Sequence, residues 1–141
     1  MPMLRPFHLA IPVRDIESTR AFYVEMLGCS VGRESGHWID FNFFGHQVSA
    51  HVRPEELSRV RTNPVDGDDV PVRHFGMVLE WDAWQALADR LRKKGITFLI
   101  GPTVRFKGKA GEQATLFVLD PSGNALEFKS FRDGRQLFAQ D

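Results

Sequence analysis

Four side chains in this sequence have the donor types needed to hold a divalent transition metal: His8, His51, His74 and Glu127. Neutral imidazole and carboxylate suit Fe(II), Mn(II), Zn(II), Ni(II) or Co(II). Two histidines with one carboxylate also leave coordination positions open for a substrate and for dioxygen. A single histidine taken alone is more often structural than a ligand. Glu127 taken alone reads as a solvated strand residue, because glutamate is rarely buried. The elements around these four residues change that reading.

Residues 6–13 alternate as a strand, with Phe7, Leu9 and Ile11 on one face and His8, Ala10 and Pro12 on the other. Asp15 stands where an N-cap would start a helix over 16–27, and Gly28 suits the position just past its end. Strands are predicted near 29–33, 37–43 and 47–53, the last two joined by a turn at Gly45 and His46. Residues 54–71 form a polar connector with a short helical stretch at 55–60 followed by turn chemistry. Asp66, Asp68 and Asp69 lack the spacing and the downstream glutamate of a calcium loop.

The pattern then restarts. A strand over 72–80 puts His74, Gly76 and Val78 on one face. Asp82 and Gln85 resemble a capping box ahead of a helix that ends at Lys93-Lys94-Gly95. A strand at 96–100, a Gly/Lys-rich loop over 101–112 and strands at 113–119 and 125–131 follow, with the turn Asp120-Pro121-Ser122-Gly123-Asn124 between the last two. Leu137 and Phe138 are candidates to dock the tail.

The order strand–helix–strand–strand–strand therefore occurs twice. His8 matches His74 at an offset of 66, while Asp15 with Asp82, and Gly28 with Gly95, match at 67. The matching strands near 50 and 127 leave one register choice. Pairing Gly45 with Gly123 sets Ser49 against Glu127; otherwise His51 takes that place, on the same face. In both halves the face away from the helix carries the small and polar groups. If the sheets join, three histidines and one glutamate converge. The expected class is α+β: one domain over 1–141, with modules at about 6–53 and 72–131, a linker at 54–71 and a tail at 132–141.

Bulk properties narrow the partners. Eighteen basic and eighteen acidic residues cancel without long runs of either sign, which argues against nucleic acid or an anionic membrane surface. The single Cys29 excludes an internal disulfide framework and fits a reducing cytoplasm. No N-terminal apolar region or membrane-length apolar run is present in the sequence. The expectation is a cytoplasmic protein whose partner is a small molecule.

The stretches FHLAIPVRDIESTRAFYVEMLG and FVLDPSGNALEFK resemble the vicinal oxygen chelate superfamily, which includes glyoxalase I, methylmalonyl-CoA epimerase, fosfomycin-resistance proteins, bleomycin-binding proteins and type I extradiol dioxygenases. The resemblance covers about residues 6–131 and implies paired βαβββ modules around a divalent metal. It implies His8, His74 and Glu127 as ligands, with His51 as a fourth candidate and with Glu127 and His51 as catalytic groups. It also implies a homodimer. HWIDFNFFGHQVSAH looks most like small extradiol-dioxygenase-related proteins, which implies Fe(II) and a catechol-like substrate. Two departures stand against that chemistry: Phe117 occupies the position of a Tyr in large ring-cleaving relatives, and no histidine follows His74. His37 and His46 are the alternative proton carriers. A glyoxalase- or epimerase-like lyase or isomerase, a fosfomycin-type transfer drawing on Arg53, Lys107, Lys109 and Lys129, and a metal-free binding protein are the other expectations.

Overall fold

The computed structural model describes residues 4–58 and 60–140. The chain forms two compact units: Met1–Arg59 with Asp120–Asn124, and Val60–Leu119 with Ala125–Asp141. Each is built on a four-stranded mixed sheet, which confirms the α+β class.

In the first unit the strand order is β1-β4-β3-β2, using β1 (His8–Val13), β2 (Ser30–Glu34), β3 (Trp38–Phe43) and β4 (His46–Val52). β1 runs parallel to β4, pairing His8 with Gln47 and Ala10 with Ser49. One face buries Ile11, Val13, Ile39, Phe41, Val48 and Ala50. The helical segment supplies Phe22, Tyr23 and Leu27 to the same core, and Tyr23 stacks on Phe41 at 4.9 Å. Each such large side chain contributes about 1.5–3 kcal/mol by leaving water. Helix α1 (Ile16–Arg20) starts as expected, with Asp15 Oδ1 accepting the Ser18 N–H at 2.7 Å. It does not continue as α-helix to Leu27. Residues Ala21–Met26 form a π-helical turn, with the Leu27 N–H donated to the Phe22 carbonyl at 3.2 Å. The segment ends at Gly28, whose φ of 81° is the left-handed conformation a Cβ opposes.

The Asp120–Asn124 turn belongs to this unit although it lies between two strands of the other. Tyr23 Oη donates to Asp120 Oδ2 at 2.9 Å inside the core. Asp120 Oδ1 accepts the backbone N–H groups of Ser122 and Asn124, both at 2.9 Å. Asn124 Nδ2 donates to the Pro12 carbonyl at 2.9 Å, and the Arg14 N–H reaches Ser122 Oγ at 2.8 Å. Every polar group the turn buries is thus matched.

The second unit repeats the order as β7-β10-β9-β8, from β7 (Phe75–Val78), β8 (Phe98–Arg105), β9 (Gln113–Leu119) and β10 (Ala125–Phe131). Helix α2 (Trp81–Lys93) buries Trp84, Leu87, Ala88 and Leu91. Its Trp84 Nε1 donates to the Phe128 carbonyl at 2.8 Å. The expected capping box is absent: α2 begins at Trp81, Glu80 is the cap residue, and no side chain caps it. Asp82 sits instead in the first turn, where its charge opposes the helix dipole.

Three further expectations change. β8 extends through Gly101 and Pro102, predicted as loop; it is an edge strand with register shifts, where both residues are tolerated. β7 is shorter than the predicted 72–80. The connector holds a single turn of 3-10 helix at Pro54–Glu56, and Arg59 at the end of the expected helix lies outside the described residues. It then forms a hairpin, β5 (Thr62–Val65) and β6 (Asp68–Pro71). Positive φ at Asp66 (50°) and Gly67 (85°) marks a type I′ turn. In the tail, Leu137 is half-buried and Phe138 exposed. Among the described residues no helix is long and apolar enough to cross a membrane.

Candidate metal centre

The second unit brings two of the four expected residues together. His74, just ahead of β7, places Nε2 3.2 Å from Oε1 of Glu127 on β10. Two side-chain contacts fix the pair. Thr115 Oγ1 donates to the other carboxylate oxygen, Oε2, at 2.5 Å. His74 Nδ1 lies 2.7 Å from the Pro71 carbonyl oxygen. A carbonyl only accepts, so Nδ1 carries the proton. The other ring nitrogen, Nε2, faces the carboxylate, a contact that a second proton or a cation between the two makes favourable.

The spacing fits a cation. Two donors bonded to one ion at about 2.1 Å, with an angle of roughly 90–100°, are themselves about 3.0–3.2 Å apart. A histidine ligand whose far nitrogen donates to a carbonyl, and a carboxylate ligand held by a hydroxyl, are the usual outer-shell supports. The donor chemistry of this half-site therefore fits a divalent metal.

Gly76 makes the pairing possible. It faces Glu127 in the parallel β7–β10 ladder. A Cβ built there would collide with the Glu127 carbonyl oxygen and come within 2.6 Å of its carbonyl carbon. Phe117, opposite Glu127 across the β9–β10 ladder, sets its ring edge-on to His74 at 5.0 Å. It is a buried carbon wall and offers no hydroxyl.

His8 and His51 lie on the first unit, both exposed and on the sheet face away from the core. Four residues along the ladder, about 13 Å, separate their levels, because His8 pairs with Gln47. The ladders also resolve the register choice. In the second unit Glu127 is one pair beyond Leu126–Phe75, so it stands two residues past the level of His74. The equivalent position in the first unit, two past Gln47, is Ser49. His51 corresponds to Lys129. Among the described residues no group of three or more His, Cys, Asp or Glu side chains is gathered tightly enough to hold a metal.

The first unit's polar face has its own chemistry. Ser49 Oγ donates to Asp40 Oδ1 at 2.6 Å. Asp40, Asn42, Gln47, His46, Gly32 and Arg33 line a recess of about 360 Å³. His46 Nδ1 accepts the Phe7 N–H at 2.7 Å, which occupies one ring nitrogen of that alternative proton carrier. Of the expected cationic residues, Arg53 pairs with Glu55 at 3.2 Å and Lys129 lies over the Phe131 ring at 5.9 Å.

Sequence reasoning missed Thr115 and Pro71. The Thr115 hydroxyl follows from the β9–β10 register, which becomes readable once the 120–124 turn length is known. The Pro71 carbonyl carries no side-chain signal at all.

Comparison with known proteins agrees with this architecture. The sequence model of the Glyoxalase/Bleomycin resistance protein/Dioxygenase superfamily matches residues 5–128, and the chain belongs to that superfamily. It is similar to a glyoxalase/bleomycin resistance protein/dioxygenase from Alicyclobacillus acidocaldarius, with 36% identity and a TM-score of 0.80, covering 94% of this chain and 96% of that one. Virulence protein STM3117 of Salmonella typhimurium is 24% identical over 131 residues, covering 88% of this chain and 82% of that protein. A fosfomycin resistance protein from Listeria monocytogenes shares the fold at 15% identity, with a TM-score of 0.70 and coverage of 96% and 100%. Members of the superfamily often use divalent metals, bind small molecules and form dimers.

Proposed function

We propose that this protein is a divalent-metal-dependent enzyme of the superfamily, an extradiol-type dioxygenase acting on a small catechol-like substrate. His74 and Glu127 would hold the metal, with His8, the repeat counterpart of His74, as the third ligand. The observation that carries the reading is the His74–Glu127 pair, 3.2 Å apart with its outer supports in place. The register supports three ligands rather than four, because Ser49 and not His51 matches Glu127. Three ligands leave sites for a bidentate substrate and for dioxygen. Bound Fe(II) would supply the redox chemistry. The chain's own residues bind, orient and exclude water. Thr115 keeps Glu127 from rotating, and Phe117 shields His74. His51, exposed on the His8 face, serves as a proton carrier in place of coordination.

A glyoxalase- or epimerase-like reaction is the second reading. It is favoured by Phe117, which provides no acid–base hydroxyl where ring cleavage calls for one. Glu127 would then move the proton itself.

The test is metal analysis with a paired assay. The wild-type chain should take up about one Fe(II), and His74→Ala and Glu127→Ala should lose it. Anaerobically loaded protein should consume oxygen and give a yellow product with a catechol panel. Metal content unchanged in both variants would sink the metal reading. Conversion of a 2-oxoaldehyde hemithioacetal without oxygen uptake would select the lyase. The protein should elute as a dimer in size-exclusion chromatography with light scattering.

A further inference from the structure

We propose that Arg105 is a positioning residue for the metal centre, acting through the β5–β6 hairpin on His74. The inference rests on the metal reading for its purpose, but its geometry stands independently. Arg105 ends β8 and pairs with Gln113, which in turn pairs with Phe131, so its side chain leaves the sheet on the Glu127 face. Its side chain is only 19% exposed, and the guanidinium forks between two aspartates of the hairpin turn: Nη1 to Asp66 at 3.0 Å and Nη2 to Asp68 at 2.9 Å.

The hairpin needs such an anchor. An isolated two-stranded hairpin is marginal in water. β5 is exposed throughout, and of β6 only Pro71 is buried. At the tip, Arg105 holds the turn. At the base, Pro71 pairs with Thr62, and the Val72 N–H continues the ladder to the Arg61 carbonyl at 2.6 Å. The Pro71 carbonyl is the group that takes the His74 Nδ1 proton.

The two anchors lie at opposite corners of the sheet. His74 sits beside the Ala125 end of β10, while Arg105 is level with Phe131 at the other end and across the sheet, on β8. The hairpin therefore ties one corner to the other. When Arg105 holds the tip, the Pro71 carbonyl stays on Nδ1, and the ring keeps Nε2 beside Glu127. Without the fork, the carbonyl drifts, the imidazole loses its fixed orientation, and the ligand is no longer prepared. This gives a surface-remote arginine a chemical consequence at the site.

Phe117 lies edge-on to the His74 ring at 5.0 Å, so its ring current displaces the His74 ring-proton resonances and reports the ring's orientation without metal. In NMR spectra of the metal-free chain, wild type should show the displaced resonances. Arg105→Met should move them toward random-coil positions, with Co(II) affinity in a parallel titration reduced roughly tenfold, the low end of outer-shell effects. Arg105→Lys should recover part of both. The double variant Asp66→Asn/Asp68→Asn removes the fork from the other side and should reproduce Arg105→Met, which guards against a folding defect in either. Unchanged His74 resonances and unchanged affinity in Arg105→Met would overturn the proposal. A wild-type chain that binds no Co(II) overturns the metal reading alone; the resonance shift still decides the role of Arg105.

Discussion

Ser49 in the first unit and Glu127 in the second occupy one register position, two residues past the level of their first-strand histidine. Both side chains meet a hydrogen-bonding partner on the neighbouring antiparallel strand. Ser49 donates to Asp40, and Glu127 accepts from Thr115. The donor and acceptor roles are reversed. In the first unit the carboxylate sits on the middle strand and faces a polar recess. In the second it sits beside the histidine, with Oε1 3.2 Å from Nε2. The residue facing this position also differs: Ala10 in one unit, Gly76 in the other. A repeated strand order thus carries a histidine–carboxylate pair in one half and a serine–aspartate pair in the other. At this position the divergence lies in side chains rather than in strand order.

The largest effect should come from removing the backbone difference. Gly76→Ala forces a methyl into the Glu127 carbonyl and should cost about 3 kcal/mol, at the upper end of overpacking. Ala10→Gly, the same exchange reversed in the other unit, should cost only about 0.5–1 kcal/mol. Urea unfolding of the two variants measures both, and equal costs would break the comparison. Next, Glu127→Gln should weaken metal binding by more than the roughly 100-fold ceiling of outer-shell changes, whereas Ser49→Ala should leave it unchanged. Calorimetric titration of the two side by side checks this; a matched loss would make Ser49 a ligand. Thr115→Val should fall between them, at about tenfold.

Tyr23 gives a smaller, pH-dependent contrast confined to the first unit. Burial, and then the nearby Asp120 charge, push its phenol well above the usual 10.0. Below pH 10 both folded and unfolded chains hold the proton, so nothing changes. Above it the unfolded chain loses the proton while the folded chain keeps it, and stability falls as pH rises. Tyr23→Phe should cost about 1 kcal/mol at pH 7 through the lost bond to Asp120, whose Oδ2 keeps the Asn124 Nδ2 donor at 2.9 Å, and should flatten the alkaline decline. Smallest of all, burial raises the Cys29 thiol to about 11, so its labelling at pH 8 should be far slower than in urea. An equally fast reaction in native buffer would show that this core opens readily.

Much of the fold was legible. Alternation at 6–13 and 125–131 and the glycines at 28 and 95 mark strand and helix ends by sterics that act within a few residues. The His74–Glu127 partnership was legible because two short strands of opposite chemistry repeat. The connector hairpin was not, since β5 and β6 carry Asn, Pro and Asp in place of alternating apolar residues, and their tip is fixed by Arg105, 37 residues away from Asp68. The strand at 98–105 was hidden by Gly101 and Pro102, which only an edge tolerates. The register of Glu127 needed the ladder itself, because period-two patterning leaves slips of two residues unresolved.

The Asp120–Asn124 turn has a consequence for the order in which the chain can become native. The bonds that complete the first unit span 97, 108 and 112 residues. The Tyr23 hydroxyl therefore has no Asp120 to donate to until most of the second module has been made. A nascent chain halted before Asp120 lacks all three of these bonds. Such distant closure slows folding, because loop entropy is spent before the contact repays it. The N-terminal module is made first and finished last.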